Sequence, residues 1–418
     1  MGLRFATVTR RIRPFIVLAA AALVAGACTS TPAALSDPTI TTPTSTTTTA
    51  PIGVTSTAAP TTTTMMQPVD AVTVSGDLPD GLLTAVSALL SWQRDDRNVM
   101  PSIPDGLATH LTEYPIATPN DVAVTGSTAQ IDGGEIGVVE VEGGGILLAA
   151  DEGDGWRIVG ADPSSGPAWF GEEPRMVMVI GSDARPGESQ QRLRADSIHI
   201  LTANPSEGTG TILGFPRDSY VSTPYGSMKF SSLMAGRGPQ VMVDQVVDTW
   251  DLPVEGYVVT GFKGFEDLMG NVGNLPIDLP RAIPQQAEWE GWRAGQQTLT
   301  PQRTLEYSRT RKKIPGGDLT RSANQGLVML AVLELLQMND IVDSPEIIKV
   351  LLDHTWTSLT PTDLIQLAAT VHTLDPAIID NVVLPGTLGR AGTASVVRLT
   401  PQADAMLADL ADDGVLDR

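Results

Sequence analysis

Apolar residues recur at helical spacing in Leu82, Leu83, Val86, Leu89, Leu90 and Trp92, and then give way to Gly-punctuated runs at Val122–Val124, Gly137–Val141, Ile146–Ala150 and Trp156–Val159. The first pattern predicts an amphipathic helix. The runs predict antiparallel strands joined by tight turns such as Glu152-Gly153-Asp154-Gly155. From Arg175 the texture changes. Met176–Ile180 is continuously apolar, as a strand buried on both faces should be, and Ser197–Thr202, Thr211–Phe215 and Gly256–Thr260 read as further strands. Val241–Trp250, Phe262–Met269 and Arg321–Met338 read as helices. In the last, Leu327, Leu330, Ala331, Leu335 and Met338 make one apolar stripe, with Glu334 at its edge. Strands alternating with helices predict an α/β layered domain. Residues 345–415 read as mostly helical, with Thr360-Pro361-Thr362-Asp363 as a helix start.

The patterning divides the chain into segments 1–27, 28–70, 71–168 and 172–415. Arg4, Arg10, Arg11 and Arg13 precede a short apolar run from Phe15 to Ala27, the composition of a secretion signal. That run ends at Ala25-Gly26-Ala27-Cys28, which resembles a lipoprotein processing site and makes Cys28 the candidate for lipidation. A lone cysteine forms no internal disulfide, whereas acyl chains on it would hold the protein at the outer face of the cytoplasmic membrane. Residues 29–69 are a Thr/Pro/Ala tract with no hydrophobic period, expected to be a disordered tether reaching about 130 Å if extended. Residues 71–165, a helix followed by a meander ending in Gly155-Trp156-Arg157-Ile158-Val159, are a small α+β unit that resembles accessory domains of the nuclear-transport-factor type.

A formal charge of −21 over 418 residues argues against a nucleic-acid partner, which favours basic surfaces. Against that background four clusters of arginine and aspartate stand out. They are Gly181-Ser182-Asp183-Ala184-Arg185, Arg194-Ala195-Asp196-Ser197, Pro216-Arg217-Asp218-Ser219, and Arg309-Thr310-Arg311 followed by Gly317-Asp318-Leu319-Thr320-Arg321. Asp183 follows one strand and Asp196 precedes the next, so pairing of those strands would bring two carboxylates together, a set that suits Mg²⁺ completed by phosphate oxygens and water. Arg309 and Arg311 would share a face of an extended segment. Arg321 and Gln325 would share a face of a helix, with Asp318 near its first turn. Guanidiniums bind phosphate bidentately and keep their charge at neutral pH, and a set this large suits a pyrophosphate.

In this order, these motifs together with Lys229 and Gln325 resemble the LytR-CpsA-Psr family over roughly residues 172–400. The resemblance implies a layered α/β/α sandwich with an apolar slot for a lipid tail. It implies transfer of a glycopolymer from a polyprenyl-pyrophosphate carrier to a hydroxyl of peptidoglycan, forming a phosphodiester. It implies Mg²⁺ or Mn²⁺ at Asp183 and Asp196, and pyrophosphate contacts from Arg185, Arg194, Arg217, Lys229, Arg309, Arg311, Arg321 and Gln325. Arg217, Arg309 and Arg311 would act on the transferring group, and Asp218 or Asp318 would orient or deprotonate the acceptor hydroxyl. The chain departs from the family's usual Lys-x-Asn at Lys229-Phe230-Ser231, and differs also at Gly270–Asn274 and Leu299-Thr300-Pro301. Two other readings stay open: a pyrophosphatase, in which water replaces the sugar, and a non-catalytic lipid-carrier binding or wall-organising protein.

Overall fold

The computed structural model describes residues 71–417 apart from 96–97, 117–118, 286–289 and 312–313. The signal segment, Cys28 and the whole tether segment lie outside the described residues. The chain opens with β1 (Thr73–Ser75), α1 (Asp80–Arg94), α2 (Asp105–Glu113), β2 (Asp121–Ile131), β3 (Gly134–Val141), β4 (Gly145–Asp151) and β5 (Arg157–Pro163). These strands form one sheet in chain order, β1 parallel to β2 and the rest an antiparallel meander. The expected spacing in α1 buries Leu82, Val86, Leu89 and Leu90. Helix α2 was not read from the sequence, because Leu107 and Leu111 are the only residues it buries and nine residues carry little periodic signal. Both helices pack on the sheet face formed by Val139, Val141, Leu147 and Ile158.

The main body follows. Its elements are β6 (Arg175–Ser182), β7 (Ala195–Ala203), β8 (Thr211–Gly214), β9 (Tyr220–Val221), β10 (Met228–Lys229), α3 (Phe230–Leu233), α4 (Gln240–Trp250), β11 (Gly256–Thr260) and α5 (Phe262–Val272). After them come β12 (Leu275–Leu279), β13 (Gly295–Leu299), α6 (Pro301–Arg309), α7 (Asp318–Leu336), α8 (Ser344–Leu352), β14 (Trp356–Thr357) and α9 (Pro361–Thr370), and then β15 (Asp380–Val383), β16 (Gly386–Ala391), β17 (Ala394–Leu399) and α10 (Pro401–Asp413). The central sheet runs β14-β11-β6-β7-β8-β15, with β11 parallel to β6 and β15 parallel to β8. Successive residues of β6 point to opposite layers. Met176, Met178 and Ile180 pack with Met242, Val246, Leu407 and Leu410 of α4 and α10, whereas Val179 belongs to the layer of Val328, Met329 and Val332 of α7. A strand covered by helices on both faces must be apolar at every position, and this is why Met176–Ile180 shows no alternation. The chain is thus a mixed α/β protein, and the main body is layered.

The small sheet and the main body share a core. Ile136, Val138, Leu148, Ala150 and Val159 form the second face of the meander and pack in one cluster with Leu364, Ile365 and Ala368 of α9. Gln366 Nε2 donates to the Val159 carbonyl at 2.6 Å across that seam. Helix α9 begins as the sequence predicts, with Thr360 and Asp363 forming a reciprocal cap.

Several expectations are corrected. Residues 345–415 hold three helices but also four strands, two of which, β14 and β15, are the edges of the central sheet. Helix α7 starts at Asp318, three residues before the expected start, because Gly316 and Gly317 turn the chain with φ of 80° and 53°, values glycine adopts without strain. Met338 lies beyond its end and is 73% exposed, so it is no part of the apolar stripe. The extended segment expected at Arg309 is the last turn of α6, which begins at Pro301 behind a Thr300 cap.

Candidate active site

The site lies where β6 ends and β7 begins. Antiparallel pairing continues past the strand end, with Asp183 N donating to the Arg194 carbonyl at 3.0 Å. Arg194 N returns a 3.0 Å bond to Asp183 Oδ1, and the Arg194 guanidinium reaches Asp183 Oδ2 at 3.2 Å. Two residues on, Asp196 is 3% exposed, and its Oδ1 lies 2.6 Å from Arg217 Nη1. Arg217 follows the end of β8 and Pro216, and its carbonyl accepts from Ser231 N at 3.1 Å, so the start of α3 fixes its backbone. Arg321 on the first turns of α7 is 2% exposed. Its Nη2 lies 2.9 Å from Asp318 Oδ1 and donates to the Asp196 carbonyl at 3.1 Å. Asp318 also lies 3.8 Å from Arg217 Nε. Four charged side chains from three elements therefore meet: Asp196, Arg217, Asp318 and Arg321.

Burial governs their electrostatics. It raises the Asp196 pKa above the carboxylate value, partly opposed by Arg217 and Arg321 and reinforced by Asp183. Burial also lowers the Arg321 pKa, against the pull of Asp318 and with the help of Arg217 and Arg311. For Arg217 burial works against the charge, but Asp196, Asp318 and Asp218 together raise its pKa. The cluster leaves polar capacity unused: Asp196 Oδ2, Arg217 Nε, and Arg321 Nε and Nη1 are buried and make no hydrogen bond. Buried polar atoms are rarely left so, and several together mark a place shaped for another charged group.

Other expected residues gather round this centre. Arg311 is near enough to act on Arg321 through space. The Arg309 guanidinium lies 4.6 Å from the centre of the Phe262 ring, a cation–π arrangement that holds it at the end of α6. Asp218 and Lys229 pair with each other at 2.9 Å. Gln325 is buried and bridges elements: its Nε2 donates to the Ser308 carbonyl at 3.2 Å, and its Oε1 accepts from Ser197 Oγ at 3.1 Å. Arg185 is exposed and lines a different hollow.

Sequence reasoning missed what braces the site. His199 is fully buried in β7, its Nδ1 3.2 Å from Ser197 Oγ and its Nε2 3.1 Å from the Ser322 carbonyl. Together with Gln325 it makes a chain of polar contacts from α7 through β7 to Ser308, the neighbour of Arg309. Burial pushes the His199 pKa down to about 4, so the imidazole is neutral at pH 7. The signal was present: Ser197 and His199 are polar positions two apart in an apolar strand, and so they share a face. Gly214 lets α7 approach, since a Cβ there would stand 2.3 Å from Ser322 Oγ.

An apolar cavity of about 120 Å³ lies between the central sheet and helices α7, α8 and α9, lined by Val177, Leu201, Ile212, Met329 and Leu367 and bounded by Arg175. Along β6, Val177 and Asp183 are six residues apart, roughly 20 Å at ~3.3 Å per residue, so cavity and charged cluster occupy opposite strand ends. Among the described residues no group of three or more His, Cys, Asp or Glu is placed to hold a metal. Asp183 and Asp196, with the unpartnered Oδ2 of Asp196, do fit a hard cation that takes its remaining ligands from water and phosphate oxygens.

A profile of the LytR_cpsA_psr family matches residues 164–412, more than half of the chain, and the protein belongs to that family. A curated relative, the polyisoprenyl-teichoic acid–peptidoglycan teichoic acid transferase TagU of Bacillus subtilis (strain 168), is 29% identical over 192 residues, covering 45% of this chain and 61% of that protein. TagT of the same organism, which bears the same transferase name, is 30% identical over 215 residues, covering 48% of this chain and 64% of that protein. The chain thus spans less than two thirds of the length of these relatives. The crystal structure of B. subtilis TagV superposes with a TM-score of 0.50 at 21% identity, covering 58% of this chain and 96% of that one, a likeness of fold.

Proposed function

We propose that the protein transfers a glycopolymer from a polyprenyl-pyrophosphate carrier to a hydroxyl of peptidoglycan. The observation that carries this reading is the set of buried, unused donor atoms on the guanidiniums of Arg217 and Arg321, beside the open oxygen of Asp196. A diphosphate supplies the oxygens those donors lack, and Arg194, Arg309 and Arg311 add positive charge around it. In the reaction the acceptor oxygen bonds to the polymer-proximal phosphorus, the bond to the bridging oxygen breaks, and polyprenyl phosphate leaves. The arginines stabilise the charge that gathers on the leaving group. Asp318 or Asp218 takes the acceptor proton; both already contact cations, Arg321 and Lys229, which hold them in place. Asp183 and Asp196 would hold Mg²⁺ or Mn²⁺, which when bound would add neutralisation of the diphosphate. The apolar cavity takes the lipid tail.

On the same reading residues 1–27 direct secretion and acylated Cys28 holds the body at the outer face of the cytoplasmic membrane, with residues 29–69 as its leash. The test is transfer from a purified lipid-linked polymer to added peptidoglycan, followed by mass analysis. The protein should yield the phosphodiester, and R309A should not. Free polymer phosphate without coupling to glycan would instead make it a pyrophosphatase, and binding without turnover would make it a carrier protein.

A further inference from the structure

Arg185, left over from the diphosphate cluster, lines a separate hollow of about 260 Å³ with Gln190, Lys263, Asp267, His354 and Trp356. The hollow also takes in Ala184, so it begins one residue beyond Asp183. Trp356 sits on the two-residue edge strand β14 and is 44% exposed, the only tryptophan among the large exposed apolar side chains of the described residues. An exposed indole at a sheet edge contributes little to the core, but it offers a flat apolar face with one polar N–H. The groups around it are of mixed sign. Lys263 and Asp267 pair with each other, and Arg185 N is held by Glu188 Oε2 at 2.7 Å. His354 Nε2 lies 3.1 Å from Asn271 Nδ2. Such a rim suits neither a phosphate nor a peptide of one sign. It suits a neutral, hydroxyl-rich ring that stacks its C–H face on the indole and shares hydrogen bonds with charged side chains.

We propose that this hollow is the acceptor subsite, binding an amino-sugar unit of a glycan strand against Trp356. A sugar seated there would lie on the Asp183 side of the cluster, where its hydroxyl can approach the diphosphate. The inference rests on the transferase reading but is separable from it, because it concerns glycan rather than lipid.

The experiment is calorimetric titration of the protein with two probes, a lipid-free tetrasaccharide of alternating N-acetylglucosamine and N-acetylmuramic acid, and farnesyl pyrophosphate. W356A should weaken tetrasaccharide binding about tenfold, equivalent to ~1.4 kcal/mol, and W356F should retain most of it. Farnesyl pyrophosphate should bind both variants as it binds the parent, which also reports that they are folded. Equal tetrasaccharide affinity in parent and W356A would overturn the proposal, as would a parent protein that binds farnesyl pyrophosphate but no tetrasaccharide. Loss of farnesyl pyrophosphate binding by the parent itself would strike the diphosphate reading instead.

Discussion

Arg217 Nη1 stands 2.6 Å from Asp196 Oδ1, and this ion pair is almost closed to water. The arginine best placed for a diphosphate is therefore also the partner of a buried carboxylate. Removing one member of such a pair leaves the other uncompensated, at a cost on the order of 3 kcal/mol. R217A should lose farnesyl pyrophosphate binding and also unfold at lower urea concentration. The double variant R217A/D196N should recover much of the stability and none of the binding. If the two substitutions prove additive in urea unfolding, the pair is not coupled as the geometry requires.

Cation binding has a readout independent of turnover. Mg²⁺ should raise the thermal unfolding midpoint of the parent, by mass action on the folded state. D183N and D196N should each remove most of that shift. A shift of the same size in D196N would place the cation elsewhere.

His199 gives the protein a pH signature. Its folded pKa, about 4, is below the unfolded value of 6.5. The neutral imidazole therefore stabilises the fold above pH 6.5, and that contribution is lost as pH falls through 4, about 3 kcal/mol in all. H199Q should be less sensitive to acid than the parent across this window. Parallel stability curves for the two, measured by urea unfolding between pH 7 and pH 4, would show that the buried ring is not responsible.

Phe262 holds its ring face against the Arg309 guanidinium. F262L keeps an apolar side chain but removes the ring face, worth about 1 kcal/mol to the cation. Farnesyl pyrophosphate affinity should fall roughly fivefold, while the unfolding midpoint changes little. Undiminished affinity would mean that Arg309 is placed by its other contacts.

Much of this arrangement was legible because local signals agreed with the fold. The unbroken apolar run of β6 announced a strand between two layers, and the arginine–aspartate motifs fell at element ends, as residues brought together in space often do. What stayed hidden was non-local. Nothing near Gln325 says that its amide ties Ser197 to Ser308, and nothing near Arg185 says that it faces a different hollow from Arg217. Helix α6 was missed because it buries few apolar residues, and the strands after residue 355 because they are short and depend on partners such as β8 and β11.

Arg175 bounds the apolar cavity with a guanidinium that is already engaged: Nη2 meets Glu255 at 2.6 Å and Nη1 reaches Gln366 at 3.2 Å. A hydrocarbon chain pushed to that end meets an ion that cannot yield without stranding Glu255 and loosening the seam with the small sheet. On the proposed function, the depth available to a lipid tail is therefore finite, and the molecule would work as a gauge: beyond a certain number of isoprene units, added length would stay outside and contribute nothing to affinity.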